Sequence, residues 1–217
     1  MIAGQHPSTP REKLVIDLYM WGTSNGLRAA VALAECGLEH RIHKVDLTKG
    51  EQKKPEFLAL NPAGQIPVMV DSSGASGGRL VLAQSGAILL YAAEKSGRFL
   101  PTDAARRATA WQWFLMGSSD LASASSALFL TEAQVPEKSE KNVEFFKNRL
   151  LRFFGLLDRW LEGREHVVEE ISVADLMLYP VYAQRKPLVE AAGGMPNLRR
   201  WGARMASRPG VQRGMSA

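Results

Sequence analysis

The 217-residue sequence contains only one cysteine, Cys36, which excludes an internal disulfide and is typical of proteins in a reducing compartment. No apolar run approaches the ~18 residues that a membrane-spanning helix needs. Residues 1–13 are polar, contain two prolines and lack the apolar core of a secretory signal. We therefore expect a cytoplasmic protein without membrane contact, with a flexible N-terminal arm over residues 1–13.

Three kinds of functional pattern are also missing. None of the four histidines is spaced with Cys, Asp or Glu in the manner of metal ligands, so we expect no metal site. Gly22 and Gly26 follow the first predicted strand, but their spacing does not make a glycine-rich phosphate loop. The net charge is +5, yet the basic residues are scattered and not interleaved with aromatics, so we expect no nucleic-acid partner.

The first hundred residues alternate between strand and helix patterns. Runs of β-forming residues predict four strands, Val15–Met20, His40–Leu47, Val68–Asp71 and Arg79–Leu82. Helical spacing predicts three helices between and after them, Leu27–Cys36, Glu51–Leu60 and Ser85–Ser96. The order β-α-β-α-β-β-α indicates a small mixed sheet with helices on its faces, which we place in an α/β domain over residues 14–97.

After Pro101 the sequence contains no convincing strand. Helical patterns predict Ala104–Thr131, Glu137–Leu161, Ser172–Pro187 and Pro196–Ser207. We therefore expect an all-α helical bundle over residues 103–213. At the start of its third helix, Ser172 stands three residues before Asp175, the spacing of a capping box. We expect Asp175 to be a buried capping residue and not a catalytic one.

A polar loop ends in Gln65-Ile66-Pro67 and runs directly into the third predicted strand. A proline at the start of a strand suggests that the backbone of Ile66 faces something outside the sheet. Two alternatives fit the sequence. One is a cis Ile66–Pro67 bond, since an X–Pro linkage adopts cis at low cost; the other is an ordinary trans proline at an edge strand.

Polar residues also begin two of the predicted helices. Thr23, Ser24 and Asn25 precede the first helix, and Gln84 and Ser85 begin the third. Helix N-termini carry unpaired N–H groups and a partial positive charge, so they favour anions. Two such ends beside the exposed backbone of Ile66 would suit a short acidic peptide that contains a thiolate. The alternative is ordinary N-capping.

These motifs together resemble the glutathione S-transferase family. The resemblance includes the residue-66 backbone before a proline, the run Gln84-Ser85-Gly86-Ala87-Ile88, the Ser172–Asp175 capping box and the segment from Met195 to Val211. It implies a thioredoxin-like N-terminal domain followed by a helical domain. The segment from Leu18 to Gly26 is similar to that of the bacterial Nu class and its fungal Ure2-like relatives, in which a Thr and a nearby Asn replace the catalytic residue of other classes.

The resemblance implies roles for individual residues. Thr23 and Asn25 would hold the glutathione sulfur as a thiolate. The glycyl end would contact Gln52, the cysteinyl backbone would pair with Ile66 between Gln65 and Pro67, and the γ-glutamyl group would bind Gln84 and Ser85. The family also implies a homodimer, with glutathione as the co-substrate.

The second substrate is less constrained by the sequence. An electrophile pocket between the first helix and the helical domain would be apolar and aromatic, although core packing explains such residues more often. The candidates are Trp21, Trp113, Phe114, Met116 and Phe129. The thiolate would attack an electrophilic carbon, a disulfide or a peroxide. The alternative is a non-catalytic protein that keeps the fold for binding or regulation.

Two positions depart from the family pattern. Gln84 stands where the family usually has Glu, which removes a charge opposite the γ-glutamyl ammonium. The Arg with which Nu-class proteins reach the partner subunit's site is missing near Asn142, where only Lys147 is close in sequence.

Overall fold

The computed structural model describes residues 16–74 and 77–217. The predicted N-terminal arm and the predicted strand start at Val15 lie outside these residues. Within the described ranges, no helix is both long and apolar enough to cross a membrane.

The N-terminal half contains one four-stranded mixed sheet in the order β2-β1-β3-β4. Its strands are β1 (Ile16–Met20), β2 (His40–Lys44), β3 (Val68–Asp71) and β4 (Leu80–Ala83). Strand β1 pairs with β2 in parallel and with β3 antiparallel, and β4 continues the antiparallel part. Leu18, at the centre of β1, is fully buried and lies opposite Ile42 and Met69. This is the predicted thioredoxin-like arrangement.

Three helices accompany the sheet, α1 (Ser24–Glu35), α2 (Pro55–Leu58) and α3 (Ser85–Ser96). Helix α1 starts before the predicted Leu27 because Thr23 supplies its N-cap. Strand β2 ends before the predicted Leu47, since the Asp46 side chain accepts the Thr48 N–H at 2.9 Å and caps a 3₁₀ turn, Leu47–Lys49.

The predicted helix Glu51–Leu60 is divided into two short pieces. A 3₁₀ turn covers Glu51–Lys53, and α2 begins only at Pro55. Between them Lys54 is extended, with φ −69° and ψ 146°. A residue before proline is disfavoured in the helical region, which explains the interruption at this position.

The C-terminal half is helical, as predicted. Its helices are α4 (Ala104–Leu115), α5 (Ala122–Ala133), α6 (Glu140–Trp160), α7 (Val173–Ala191), α8 (Pro196–Ala206) and α9 (Pro209–Met215). The predicted helix Ala104–Thr131 contains a π-helical segment, Met116–Leu121, between α4 and α5. Helix α7 continues past the predicted end at Pro187, and Val189 beyond that proline is buried. Burial of this last turn outweighs the local preference of proline.

The capping box that begins α7 is confirmed. The Asp175 carboxylate is fully buried and accepts hydrogen bonds from the Ser172 N–H at 2.9 Å and from the Trp201 indole N–H at 2.8 Å. It also accepts the Val167 N–H at 3.0 Å. Asp175 therefore joins the start of α7 to the preceding loop and to α8, as expected of a capping residue.

One hydrophobic core runs through both halves, since α1 packs against α7 and α9 as well as against the sheet. At Gly214 of α9, a Cβ atom would lie 2.4 Å from the Cα atom of Val31, so the two helices approach as closely as they do only because this residue is glycine. The sequence did not predict α9 as a separate helix. This helix packs directly against α1, with Gly214 against Val31 and Gly210 against Glu35.

Candidate functional site

A cavity of about 1060 Å³ lies between the N-terminal half and the helices of the C-terminal half. The N-termini of α1 and α3 and the loop before β3 open onto it from one side, and α4, α5 and α7 border it from the other. All eight residues that the sequence assigned to glutathione binding line this cavity: Thr23, Asn25, Gln52, Gln65, Ile66, Pro67, Gln84 and Ser85. Four separate chain segments therefore meet where the sequence predicted one site.

The start of α1 presents its polar groups to the cavity. The Thr23 hydroxyl oxygen accepts the Gly26 N–H at 3.3 Å, which leaves the hydroxyl hydrogen free to donate to a ligand. At Gly26, a Cβ atom would lie 2.1 Å from the backbone oxygen of Trp21, so this tight entry into the helix requires glycine. Thr23, and not Asn25, is the N-cap, so the Asn25 side chain is not used for capping.

The Asn25 amide is oriented by Arg28, one helical turn further along α1. The Arg28 guanidinium donates from Nη1 to Asn25 Oδ1. An amide whose oxygen is held in this way directs its two N–H groups elsewhere, and Asn25 lines the cavity. The Asn25 amide can therefore donate to an anion in the cavity.

Arg28 itself is 1% exposed and lines the cavity. Its Nε donates to the Met177 carbonyl of α7 at 2.8 Å, and its Nη2 has no hydrogen-bond partner among the described residues. Burial lowers the pKa of Arg28 to about 10, so the side chain stays charged at neutral pH. The sequence analysis missed Arg28, although an arginine within the apolar run Leu27–Leu33 was a signal that could have identified it.

The Ile66–Pro67 peptide bond is cis, the first of the two alternatives left open by the sequence. The pairings of β3 with β1 and β4 begin at Val68, so Ile66 lies before both ladders and borders the cavity. The preceding loop is fixed by Asn61, whose Nδ2 donates to the Gln65 carbonyl at 2.7 Å.

The start of α3 has an unusual backbone. Gln84 is its N-cap with φ 73° and ψ 118°, a region that non-glycine residues rarely adopt. Within the described chain, no side chain caps this helix end. Strained backbone of this kind is concentrated at binding sites, and here it opens the first N–H groups of α3 toward the cavity beside Ser85.

Gln52 contributes a further unpaired polar atom. Its Oε1 is buried and has no hydrogen-bond partner in the part of the chain that the structure describes. Buried polar atoms are nearly always paired. An unpaired buried oxygen at the border of a cavity is therefore a position where a ligand N–H or O–H would complete the hydrogen bonding.

The C-terminal half borders the cavity with Phe114, Ser118, Ser125, Phe129, Gln184 and Arg185. Trp21, Trp113 and Met116, predicted for the second-substrate pocket, are not among the described residues that line it. Trp113 is buried and packs against Trp160 with ring centroids 5.3 Å apart, so it belongs to the core of the helical half. Phe114 and Phe129, the other two residues expected there, do line the cavity and supply its aromatic surface.

Two polar residues of α7 were missed by sequence reasoning because their placement depends on tertiary packing. Gln184 donates from Nε2 to the Gly22 carbonyl at 2.8 Å and so ties α7 to the loop before α1. Arg185 donates from Nε to Ser125 Oγ at 3.0 Å and from Nη2 to the Ser125 carbonyl at 2.7 Å. Nothing in their local sequence sets them apart from solvent-exposed helix residues.

The charges around the cavity have one sign. Of the described residues that line it, only Arg28 and Arg185 are charged, and none is acidic. The cavity therefore favours an anionic ligand. The described residues contain no group of three or more His, Cys, Asp or Glu side chains placed to hold a metal ion.

Comparisons with known proteins agree with this geometry. The glutathione S-transferase N-terminal domain model matches residues 24–95, and the C-terminal domain model of the same family matches residues 119–213. The disulfide-bond oxidoreductase YfcG of Escherichia coli is 36% identical over 198 residues, which cover 90% of this chain and 92% of that protein.

Two solved structures are similar over nearly the whole chain. A glutathione transferase of Pseudomonas putida, with one glutathione disulfide bound per subunit, is 30% identical with a TM-score of 0.85 and covers 94% of this chain and 92% of its own. The transferase URE2P8 of Phanerochaete chrysosporium, with oxidized glutathione, is 25% identical with a TM-score of 0.85. The match covers 95% of this chain and 96% of that chain. The chain therefore belongs to the glutathione S-transferase family.

Proposed function

We propose that the protein binds glutathione in this cavity and activates its thiol as a thiolate. The observation that carries the proposal is the meeting of two helix N-termini with the Ile66 residue before the cis proline at one cavity. In this arrangement the cysteinyl backbone pairs with Ile66 between Gln65 and Pro67, in the manner of an added strand. The γ-glutamyl carboxylate binds at the N-terminus of α3, beside Gln84 and Ser85, and the glycyl end lies near Gln52.

The sulfur lies at the N-terminus of α1 in this proposal. Thr23 donates its hydroxyl hydrogen and Asn25 donates an amide N–H to the thiolate, and the positive end of the α1 dipole favours the same negative charge. A cysteine-based mechanism of the glutaredoxin type is excluded for this chain, because the only cysteine, Cys36, follows the C-terminal end of α1. Burial raises the pKa of that thiol.

The reaction we favour is disulfide reduction. The glutathione thiolate attacks one sulfur of a disulfide, the old S–S bond breaks, and the leaving thiolate takes a proton from solvent. A second glutathione attacks the resulting mixed disulfide and releases glutathione disulfide and the second thiol. The name of the Escherichia coli relative and the glutathione disulfide in the two solved structures support this choice over transfer to carbon.

A substrate panel tests the proposal. We expect the protein to be retained on immobilised glutathione and to reduce a small mixed disulfide faster than it conjugates a chloronitrobenzene or reduces a hydroperoxide. Passage through the glutathione column would contradict glutathione binding and favour a non-catalytic protein of this fold. Retention on the column together with faster chloronitrobenzene conjugation would support the glutathione site but contradict disulfide reduction as the reaction.

We also propose a C2 homodimer. The segment from Ala104 to Thr131 carries small residues suited to close helix packing, and α4 exposes two large apolar side chains, Trp111 and Leu115, which are 48% and 58% exposed. Light scattering at micromolar concentration is expected to give twice the mass of a single chain. The mass of one chain would contradict the proposal.

A further inference from the structure

Arg28 is a buried charge without a counter-ion in the described chain. Its two hydrogen-bond acceptors, the Met177 carbonyl and Asn25 Oδ1, are neutral, and its Nη2 is unpaired. If the side chain served only to join α1 to α7, a neutral donor could make the same bonds without burying a charge. A buried cation of this kind is unfavourable unless a negative charge lies nearby in the functional state.

The position of Arg28 indicates where that negative charge would be. Arg28 borders the cavity and bonds to Asn25, which is one of the two residues placed beside the sulfur. Its charge adds to the positive end of the α1 dipole in the same region. By donating to Asn25 Oδ1, it also polarises the amide, so that the N–H groups facing the cavity become stronger donors.

The described residues of the elements that pack against α1 bring no negative charge to the cavity that could neutralise Arg28. Helix α1 packs against β1, α3, α7 and α9, and of their described residues only Arg185 of α7 is charged and faces the cavity. The carboxylates of these elements and of α1 itself are Asp17, Glu35, Glu94, Asp175 and Glu190, all outside the cavity lining. The remaining cations, equally outside it, are Lys95, Lys186 and Arg213. The tyrosines are Tyr19, Tyr91, Tyr179 and Tyr182, which also lie away from the lining.

We infer that Arg28 is the buried counter-charge of the glutathione thiolate and that it acts through Asn25. The inference rests on the proposed glutathione site and makes Arg28 a positioning residue. When the thiol gives its proton to solvent, the thiolate sulfur accepts the Asn25 N–H, and the Arg28 charge stabilises the anion across that amide. A thiol bound in this cavity is therefore more acidic than the thiol of free glutathione.

The test compares the pKa of bound glutathione in the parent protein, Arg28→Met and Arg28→Lys. The thiolate is followed by its ultraviolet absorption as pH is raised, with the protein saturated by glutathione. Arg28→Met is expected to raise the thiol pKa by about 1–2, and Arg28→Lys is expected to recover part of the difference because it keeps the charge. S-methylglutathione, which cannot ionise at sulfur, should bind parent and Arg28→Met within about threefold of each other.

Arg213→Met is the matched control, since Arg213 also contacts α1 but donates to the Ala34 carbonyl at its other end, at 3.3 Å. It should leave the thiol pKa unchanged. A parent-like thiol pKa in Arg28→Met would overturn the inference and leave Arg28 a structural residue. If Arg28→Met does not fold, Arg28→Gln is used as the neutral variant and compared with Arg28→Lys. Failure of every neutral variant to fold would also overturn the inference. A parent that binds no glutathione would instead contradict the proposed function.

Discussion

Replacing Asn25 by alanine is expected to lower glutathione-dependent disulfide reduction about tenfold to a hundredfold. The physical reason is the loss of a hydrogen bond to a charged acceptor, which is worth roughly 1.5–3 kcal/mol. Because Thr23, not Asn25, caps α1, the substitution leaves the helix cap in place. The measurement is the rate of mixed-disulfide reduction at saturating glutathione.

Ser24→Ala is the matched control for this prediction. Ser24 is the neighbouring residue, lies in the first turn of α1 and also borders the cavity, but it makes no proposed contact with sulfur. We expect it to retain most of the activity. If Ser24→Ala were the damaging change and Asn25→Ala were not, the assignment of this turn would be displaced by one residue. Thermal unfolding of both variants separates lost chemistry from lost folding.

Much of the fold was predictable because local patterns and tertiary structure agree. The bounds of β3 and α3 follow directly from an apolar run and from a helix that begins at Ser85 and ends before Gly97. The errors arise where a single contact decides the outcome. Asp46 ends β2 early by capping a 3₁₀ turn, and Gly214 lets α9 pack against α1, which no local pattern indicates.

The site shows the same division between local and tertiary information. The residues predicted for glutathione are those whose backbone role is local, namely the two helix starts and the turn before Pro67. Arg28 and Arg185 could not be assigned, because their importance depends on which carbonyl or hydroxyl the fold places beside them. Trp113 was assigned to the cavity from residue type alone, and the structure places its ring against Trp160 instead.

An ion pair at the C-terminal end of α1 also holds this helix, whose other end carries the proposed sulfur site. Glu35 is 4% exposed in its side chain and accepts from Arg208 Nη2 at 2.7 Å and from the Val211 N–H at 3.0 Å. These bonds attach α9 to the C-terminal end of α1. Since Gly210 and Gly214 allow the same two helices to touch directly, the ion pair lies beside close backbone packing and is shielded from water on that side.

Arg208→Met is expected to lower the free energy of unfolding by about 2–4 kcal/mol, because it leaves the buried Glu35 carboxylate without its charged partner. Arg204→Met is the matched control, since Arg204 pairs with Glu165 at 3.0 Å but both side chains are exposed, at 40% and 67%. An exposed pair of this kind contributes about 0–1 kcal/mol. Urea unfolding of both variants measures the difference. Equal losses would mean that the Glu35–Arg208 pair does not hold α9 against α1, and that the direct packing of the two helices supplies the stability there.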